Sequence, residues 1–357
     1  MDMEIKIIRT ENPKAKPADE SKLGFGKIFT DHMFAMDYTE AEGWHNARIQ
    51  PYQPYVIDPA SPVLHYGQEI FEGLKAYRTA EGSIQLFRPI ENARRMNASA
   101  ERLCMPTIDE DFQVKAMKAL VEMEAEWVPH SPGTSLYLRP TMFGDGAALG
   151  VHPAPVYHYF IITAPSGAYY ARGMAPVRIH IEDQYVRAVR GGVGFTKTGG
   201  NYAASLKAGA EAEATGYDQV LWLDGRENKY VEEVGAMNMM FVIGNSLCTP
   251  ALEGSILPGI TRKSVLALAA DRGLKVEERR ISVDELLETY AAGNLKEAFG
   301  TGTAAVISPV GELEYKGQHL IINNGEIGPV AKDMYQALTS IQNGSAPDPY
   351  GWIVKVC

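Results

Sequence analysis

The chain has 357 residues but only three cysteines, Cys104, Cys248 and Cys357, and no two of them form a CxxC pair. Any bridge would leave one over, which argues against a disulfide scaffold and for a reducing compartment. No apolar run approaches the ~18 residues of a membrane span. Met1-Asp2-Met3-Glu4-Ile5-Lys6 also lacks the basic and apolar stretches of a secretion leader. Together these absences predict a cytoplasmic protein with no membrane partner. Basic residues are outnumbered 34 to 44, giving a net charge of -10, which argues against nucleic acid as a partner. HExxH is missing and the eight histidines keep no ligand-like spacing with cysteine or carboxylate, so no metal site is expected. Gly-x-Ser-x-Gly is missing too, which removes the serine-hydrolase elbow.

What is present reads as an ordinary globular protein, 45% hydrophobic and 22% charged, long enough for two domains of mixed α and β structure. Residues 1 to about 25, punctuated by Pro13 and Pro17, read as an extended arm. A strand over 82–87 leads through Arg88-Pro89 into a helix over 91–103, and a second helix is predicted over 111–127. Strands follow at 135–138, 157–163 and 177–181. The loop 164–176 between the last two is the expected domain boundary, separating an N-terminal α/β domain (1–163, with the arm) from a C-terminal one (177–357). Beyond it the pattern predicts a helix over 203–215, a strand at 219–223, and further strands near 236–243 and 304–310. Helices near 262–272 and 283–291 intervene, the latter announced by the capping box Ser282-Val283-Asp284-Glu285.

Four segments carry candidate chemistry. Gly191-Gly192-Val193-Gly194-Phe195-Thr196-Lys197-Thr198-Gly199-Gly200-Asn201-Tyr202 fails both GxxxxGK[ST] and GxGxxG, so a nucleotide loop is set aside. Its glycines imply a backbone crowded against something flat or tightly packed, and Lys197 is either a reactive amine on a stiff turn or a surface lysine. Ser255-Ile256-Leu257-Pro258-Gly259-Ile260-Thr261-Arg262 runs from a fixed loop into a helix whose free N–H groups suit a phosphate, or merely water. Phe299-Gly300-Thr301-Gly302-Thr303-Ala304-Ala305 is an anion-binding nest or a plain tight turn. Glu233, just before an apolar strand, is a solvated edge charge or a buried partner for a protonated ring nitrogen.

Taken with Gly24 to Met33, Leu64-His65-Tyr66-Gly67, Phe71-Glu72-Gly73-Leu74-Lys75-Ala76-Tyr77 and Gly133 to Pro140, these ordered blocks resemble the branched-chain aminotransferases, in the longer form with an N-terminal extension. The resemblance spans nearly the whole chain. It implies a two-domain, D-amino-acid-aminotransferase-like pyridoxal-phosphate enzyme of fold type IV. Its activity would be transamination of leucine, isoleucine and valine with 2-oxoglutarate. By that resemblance Lys197, expected in the C-terminal domain, carries pyridoxal 5'-phosphate as a Schiff base and shuttles the Cα proton. Glu233 pairs with the ring nitrogen and Tyr202 with the phenolic oxygen. Arg95, the amides of Ile260 and Thr261, and Thr303 hold the phosphate. Thr303 and Ala304 receive the substrate α-carboxylate. Phe25, Tyr66, Tyr137 and Tyr169 wall the side-chain pocket, and Arg139 helps to receive the second carboxylate of glutamate. The family is homodimeric, which implies that Tyr66, Leu149 and Val151 are contributed across the interface.

The chain departs from relatives at two places. Ala305 and Ser308 stand where animal members often carry a CxxC pair, so thiol regulation there is not expected, and Ala236 replaces a common threonine. The rival readings are a D-amino-acid aminotransferase or an aminodeoxychorismate lyase of the same fold, or a vitamin-B6-binding protein without turnover. Leu136 to Pro140 and the N-terminal extension argue against the first two. The presence of Lys197, Glu233 and the aromatic pocket argues against the third.

Overall fold

A computed structural model describes residues 3–167 and 174–357 of the chain, which divide into two compact units. The first holds the described residues up to 167 together with Thr196–Gly199 and Ser340–Cys357; the second holds the remainder.

The first unit is built on strands β1 (Lys6–Ile7), β2 (His32–Thr39), β3 (Gly43–Pro51), β4 (Glu69–Phe71), β5 (Leu74–Arg78), β6 (Ile84–Phe87), β7 (Ser135–Asp145) and β8 (Val156–Ser166), in the order β1-β3-β2-β8-β7-β5-β6 with β4 also on β7. The short helix α1 (Pro62–Tyr66) precedes β4, and α2 (Pro89–Arg102) and α3 (Glu110–Met123) follow β6. Pro89 occupies the first turn of α2, where its missing N–H costs nothing. Asp109 caps α3 by accepting the N–H of Phe112 at 2.8 Å. Both helices bury apolar stripes, Met96 and Ala100 on α2 and Phe112, Met117 and Leu120 on α3, in one core with Phe34, Ile49, Leu138 and Tyr159 of the sheet. Each of the leucine, isoleucine, phenylalanine and methionine side chains fully withdrawn from water contributes roughly 1.5–3 kcal/mol.

The second unit carries β9 (Val177–Ile181), β10 (Gln219–Leu223), β11 (Val231–Val234), β12 (Met237–Ile243), β13 (Ser246–Pro250), β14 (Lys275–Arg279), β15 (Leu295–Gly302), β16 (Val306–Tyr315) and β17 (Gln318–Ile321). Because β11 pairs with both β10 and β12, the path β11-β10-β9-β16-β15-β12 closes on itself as a six-stranded barrel, with β13, β14 and β17 attached outside the ring. Its helices are α4 (Gly199–Ala203) from Gly200 onward, α5 (Leu206–Ala214), α6 (Ile260–Asp271), α7 (Val283–Ala291) and α8 (Pro329–Gln342) as far as Thr339. The core gathers Ile179, Leu221, Phe241, Ala298 and Leu313 with Leu286 of α7.

Mixed α and β structure in two units agrees with the sequence, and β9, β10 and α7 fall on the predicted bounds. Elsewhere the structure differs for identifiable reasons. Strand β8 continues to Ser166, into the loop expected at 164–176, and residues 168–173 of that loop lie outside the described residues. The Schiff-base lysine was expected in the C-terminal domain, but Lys197 belongs to the first unit. There its carbonyl accepts from Phe71 N–H at 3.0 Å, and Thr198 Oγ1 donates to the Glu69 carbonyl at 2.8 Å. The C-terminal residues also return to the first unit, where β18 (Ile353–Lys355) pairs with β6.

The strand expected at 135–138 continues through Pro140 to Asp145. Pro140 lies where β7 changes partner, Leu138 facing Leu74 of β5 and Thr141 facing Phe71 of β4, so the missing N–H breaks neither ladder. The single helix expected over 203–215 is broken, because Ser205 Oγ bonds back to the Tyr202 carbonyl at 2.7 Å and competes with helix continuation. Only half of the capping box forms. Ser282 Oγ accepts the Glu285 N–H, but the Glu285 carboxylate is drawn to Arg279 at 2.6 Å. The N-terminal arm is fastened rather than loose, with Lys14 N–H on Asp31 Oδ1 at 2.7 Å and Thr10 N–H on His32 Nε2 at 2.9 Å.

Candidate functional site

In the first unit the chemistry gathers around Lys197. Its backbone is pinned on both sides, the N–H donating to Ser99 Oγ at 3.0 Å and the carbonyl accepting from Phe71, while its ammonium lies 4.8 Å from the centre of the Phe71 ring. Burial, reinforced by the Arg95 guanidinium and opposed by Glu72, pushes its amine down to about 8. Such a group is about one-tenth in its nucleophilic free-amine form at pH 7 and half in it at pH 8, far more than an ordinary lysine.

Asn92, Arg95 and Ser99 stand at i, i+3 and i+7 on α2, which places three polar side chains on one otherwise packed face. Arg95 grips Glu72 with two parallel bonds, Nε to Oε1 at 2.7 Å and Nη2 to Oε2 at 2.8 Å. Asn92 Nδ2 adds a third at 2.8 Å. Burial alone would raise the Glu72 carboxyl; the charge and hydrogen bonds of Arg95, helped by Lys197 and Asn92, outweigh it and hold the carboxyl below the ordinary glutamate range. Arg94, one position earlier, points to solvent and pairs with Glu110 at 3.0 Å.

Tyr137 and Arg139 share a face of β7, where Arg139 Nη2 donates to Tyr137 Oη at 3.0 Å and the guanidinium lies 4.8 Å from the Phe71 ring centre. Arg139 Nε is buried without a hydrogen-bond partner among the described residues. Phe25 meets the Tyr137 ring edge-on at 4.9 Å. Gly73 leaves the room this needs, since a Cβ there would lie 2.0 Å from Tyr137 Oη. Tyr66 lies apart on α1. It is exposed, with its hydroxyl on the Leu149 carbonyl, and Leu149 and Val151 are exposed as well. Tyr169 lies outside the described residues.

In the second unit Glu233 is fully buried on β11 and faces inward, not to solvent. Arg187 Nε lies 3.0 Å from its Oε2, while Oε1 accepts the Leu257 N–H at 2.8 Å and Asn238 Nδ2 at 3.3 Å. Its neighbour Glu232 points to the opposite face, bonded by Ser255 Oγ, with burial pushing its carboxyl up to about 7. Gly259 precedes α6, and a Cβ there would meet Asn238 Oδ1 at 1.9 Å. Helix α6 accordingly begins at Ile260 and Thr261 with no side-chain cap on its first N–H groups. Thr303 and Ala304 lie in the three-residue turn between β15 and β16, closed by Val306 at φ 62°. That left-handed conformation is unfavourable for a β-branched side chain and marks a strained turn. Tyr202 sits on α4, its ring part-buried.

The structure thus brings Phe25, Arg95, Tyr137, Arg139 and Lys197 together in one unit, and Glu233, Ile260 and Thr261 in the other. Sequence reasoning passed over Glu72, Arg187 and Lys75. Lys75 is a buried lysine, opposite Tyr137 in the ladder, and burial pushes it down to about 8. Asn92, Arg95 and Ser99 at helical spacing were the available sign of an inward-facing polar partner such as Glu72.

Residues 69–313 match the family model described as amino-transferase class IV. The chain is 54% identical over 344 residues to branched-chain-amino-acid transaminase 1 of Bacillus subtilis (strain 168), covering 96% of each. Among solved structures it is similar to the Escherichia coli branched-chain amino acid aminotransferase, with a TM-score of 0.78 at 28% identity over 92% of this chain and 99% of that one. It is also similar to a T.th. branched-chain amino acid aminotransferase complexed with N-(5'-phosphopyridoxyl)-L-glutamate, with a TM-score of 0.75 at 29% identity over 94% and 99%.

Proposed function

This chain belongs to the branched-chain-amino-acid aminotransferases of class IV, with their mixed α/β fold type IV, and from that premise we propose that it exchanges the amino group between L-leucine, L-isoleucine or L-valine and 2-oxoglutarate, using pyridoxal 5'-phosphate, as a cytoplasmic homodimer. The observation that carries this reading is Lys197, an amine brought to about 8 by burial and by Arg95.

The donor set suits the cofactor. A phosphate would be held by Arg95 and by the uncapped amides of Ile260 and Thr261 with Thr303, which offer positive charge and free N–H groups without a bulky side chain at Gly259. Glu233, buried and offering oxygens only, suits a protonated ring nitrogen, and Tyr202 the phenolic oxygen. When bound, pyridoxal phosphate supplies an aldehyde that exchanges one amine for another and a ring that withdraws electrons from the substrate Cα.

Lys197 takes the proton from the substrate Cα and later returns one, a role that requires an amine interconverting its two forms near neutral pH. Thr303 and Ala304 direct backbone amides to the α-carboxylate. Phe25 and Tyr137 form apolar walls that exclude water and suit branched side chains, and Tyr169 joins them by the family pattern. Arg139, whose Nε has no hydrogen-bond partner among the described residues, receives the second carboxylate when glutamate is the substrate. The exposed Tyr66, Leu149 and Val151 are the residues a second copy of the chain would cover and draw into the pocket.

A substrate panel tests the reaction: L-leucine with 2-oxoglutarate should be turned over and D-alanine should not, and the reverse result would replace this reading with a D-amino-acid aminotransferase. The pH dependence of reconstitution provides a second check. Because the free amine of Lys197 is the form that attacks an aldehyde, its fraction grows as pH rises through about 8. Uptake of pyridoxal phosphate by the apoprotein, followed by visible absorbance, should therefore accelerate up to about pH 8 and then level. An unperturbed lysine, at about 10.4, would keep accelerating for roughly two further units.

A further inference from the structure

We propose that Arg187 is a positioning residue for the cofactor's ring: it fixes the orientation of the Glu233 carboxylate and ties it to the loop ahead of α6 and to the glycine segment ahead of Lys197. The inference rests on the reading of Glu233 as the partner of the ring nitrogen.

Arg187 is buried in the segment that follows β9. Its guanidinium serves three separate pieces of chain. Nε forms an ion pair with Glu233 Oε2 at 3.0 Å, through charge and not through an aligned hydrogen bond. Nη2 donates to the Gly194 carbonyl at 3.1 Å and to the Ser255 carbonyl at 2.5 Å. These contacts are mutually dependent. Gly194 touches the Ser255 carbonyl so closely that a Cβ on it would lie 2.1 Å from that oxygen, so the two carbonyls that share Nη2 converge only where residue 194 is glycine. Ser255 is held from its other side by Glu232, through its hydroxyl. Two residues later, Leu257 N–H and Asn238 Nδ2 fix the second oxygen of Glu233.

The carboxylate is consequently held at one oxygen by neutral dipoles and at the other by a cation that is itself anchored on backbone. A planar fork with several donors is needed to do this; a lysine ammonium supplies charge at a single point and cannot reach both carbonyls and the carboxylate in the same geometry. Without Arg187, Glu233 would remain buried with its counter-charge removed and the loop leading into α6 would lose its tie. A ring nitrogen would then meet a carboxylate free to rotate or shift.

The test compares Arg187→Met, Arg187→Lys, Glu233→Gln and Arg187→Met/Glu233→Gln with wild type in three measurements: melting of the apoprotein, the dissociation constant for pyridoxal phosphate, and the visible absorption of the loaded protein. Arg187→Met should weaken pyridoxal phosphate binding at least tenfold and displace the absorption maximum in the direction that Glu233→Gln displaces it. In the double variant the displacement should equal that of Glu233→Gln alone, because Arg187 acts through Glu233. Arg187→Lys should recover part of the melting temperature but not the wild-type spectrum. If Arg187→Met melts too low to load, the double variant, which has no orphaned carboxylate, still gives the decisive comparison. A wild-type spectrum and affinity in Arg187→Met, or displacements that simply add in the double variant, would overturn the proposal while leaving Glu233 in its role. A wild-type spectrum in Glu233→Gln would instead overturn the role of Glu233 and the proposal with it.

Discussion

Replacing Lys197 with alanine should lower transamination between L-leucine and 2-oxoglutarate by at least about four orders of magnitude, while leaving the apoprotein folded. Positioned acid–base catalysis alone is worth about 10²–10⁴-fold, and the same side chain is also the point of covalent attachment, so both contributions disappear together. The fold should survive because the contacts that hold this turn belong to the backbone: the N–H on Ser99 Oγ, the carbonyl on Phe71, and Thr198 on the Glu69 carbonyl. Removing the amine also removes a cation that burial disfavours, so the melting temperature of the apoprotein should hold or rise. Single-turnover assays of variant and wild type at equal cofactor loading make the comparison. A variant that kept even a tenth of the activity would take Lys197 out of the chemistry.

The second large effect is expected at a residue with no assigned place in the reaction. Glu72→Ala should cost about 3–5 kcal/mol of stability at neutral pH, the usual consequence of removing one member of a buried ion pair and leaving the other uncompensated. Here the charge left behind would be Arg95, which loses both bonds of its fork to Glu72, and Asn92 loses its bond to the same carboxylate. The sign with pH follows from the carboxyl lying below its ordinary range in the folded protein. Its stabilisation is complete above the ordinary glutamate value and is lost as pH falls toward the depressed folded one. The gap between wild type and Glu72→Ala in urea unfolding of the apoprotein should therefore be widest near neutrality and narrow in acid. A variant less than about 1 kcal/mol weaker at neutral pH would mean that Arg95 finds another partner and that Glu72 does not hold it.

Glu72 also illustrates what the sequence could and could not disclose. Helix α7 and strands β9 and β10 were legible because their boundaries are written locally, in a serine cap, in the alternating apolar pattern of β9 and in the short apolar run of β10. The partnership of Glu72 is not local. It joins a residue in the short link between β4 and β5 to a helix face that reaches it only after the chain has turned through β5 and β6, and composition does not mark an acid in such a link as paired. The same holds for Arg187, whose three contacts come from three separate segments. Lys197 stood out only as a lysine among glycines, and the motif blocks taken together, not its own neighbours, suggested its role. The placement of its turn in the first unit depends on hydrogen bonds to β4 that no periodicity could announce. Helix α8 was legible in principle, with Ala331, Met334, Leu338 and Ile341 forming a buried stripe, and drew no expectation because the strand and loop just before it carry few marks of their own.

The ring of strands in the second unit carries a further implication for how the protein is made. Strand β9 lies between β10 and β16, and Val177 finds its neighbour at Val310. In the other sheet, Leu86 of β6 finds its neighbour at Val354. A ribosome delivers residues in order, so each of these strands emerges with one flank bare and waits through most of the remaining synthesis for the segment that covers it. Pairings between such distant segments are slow to form, and open strand edges are where nascent chains associate with one another. The demand on chaperones is therefore set by the order of the strands along the chain, and it falls before the molecule has acquired any of its chemistry.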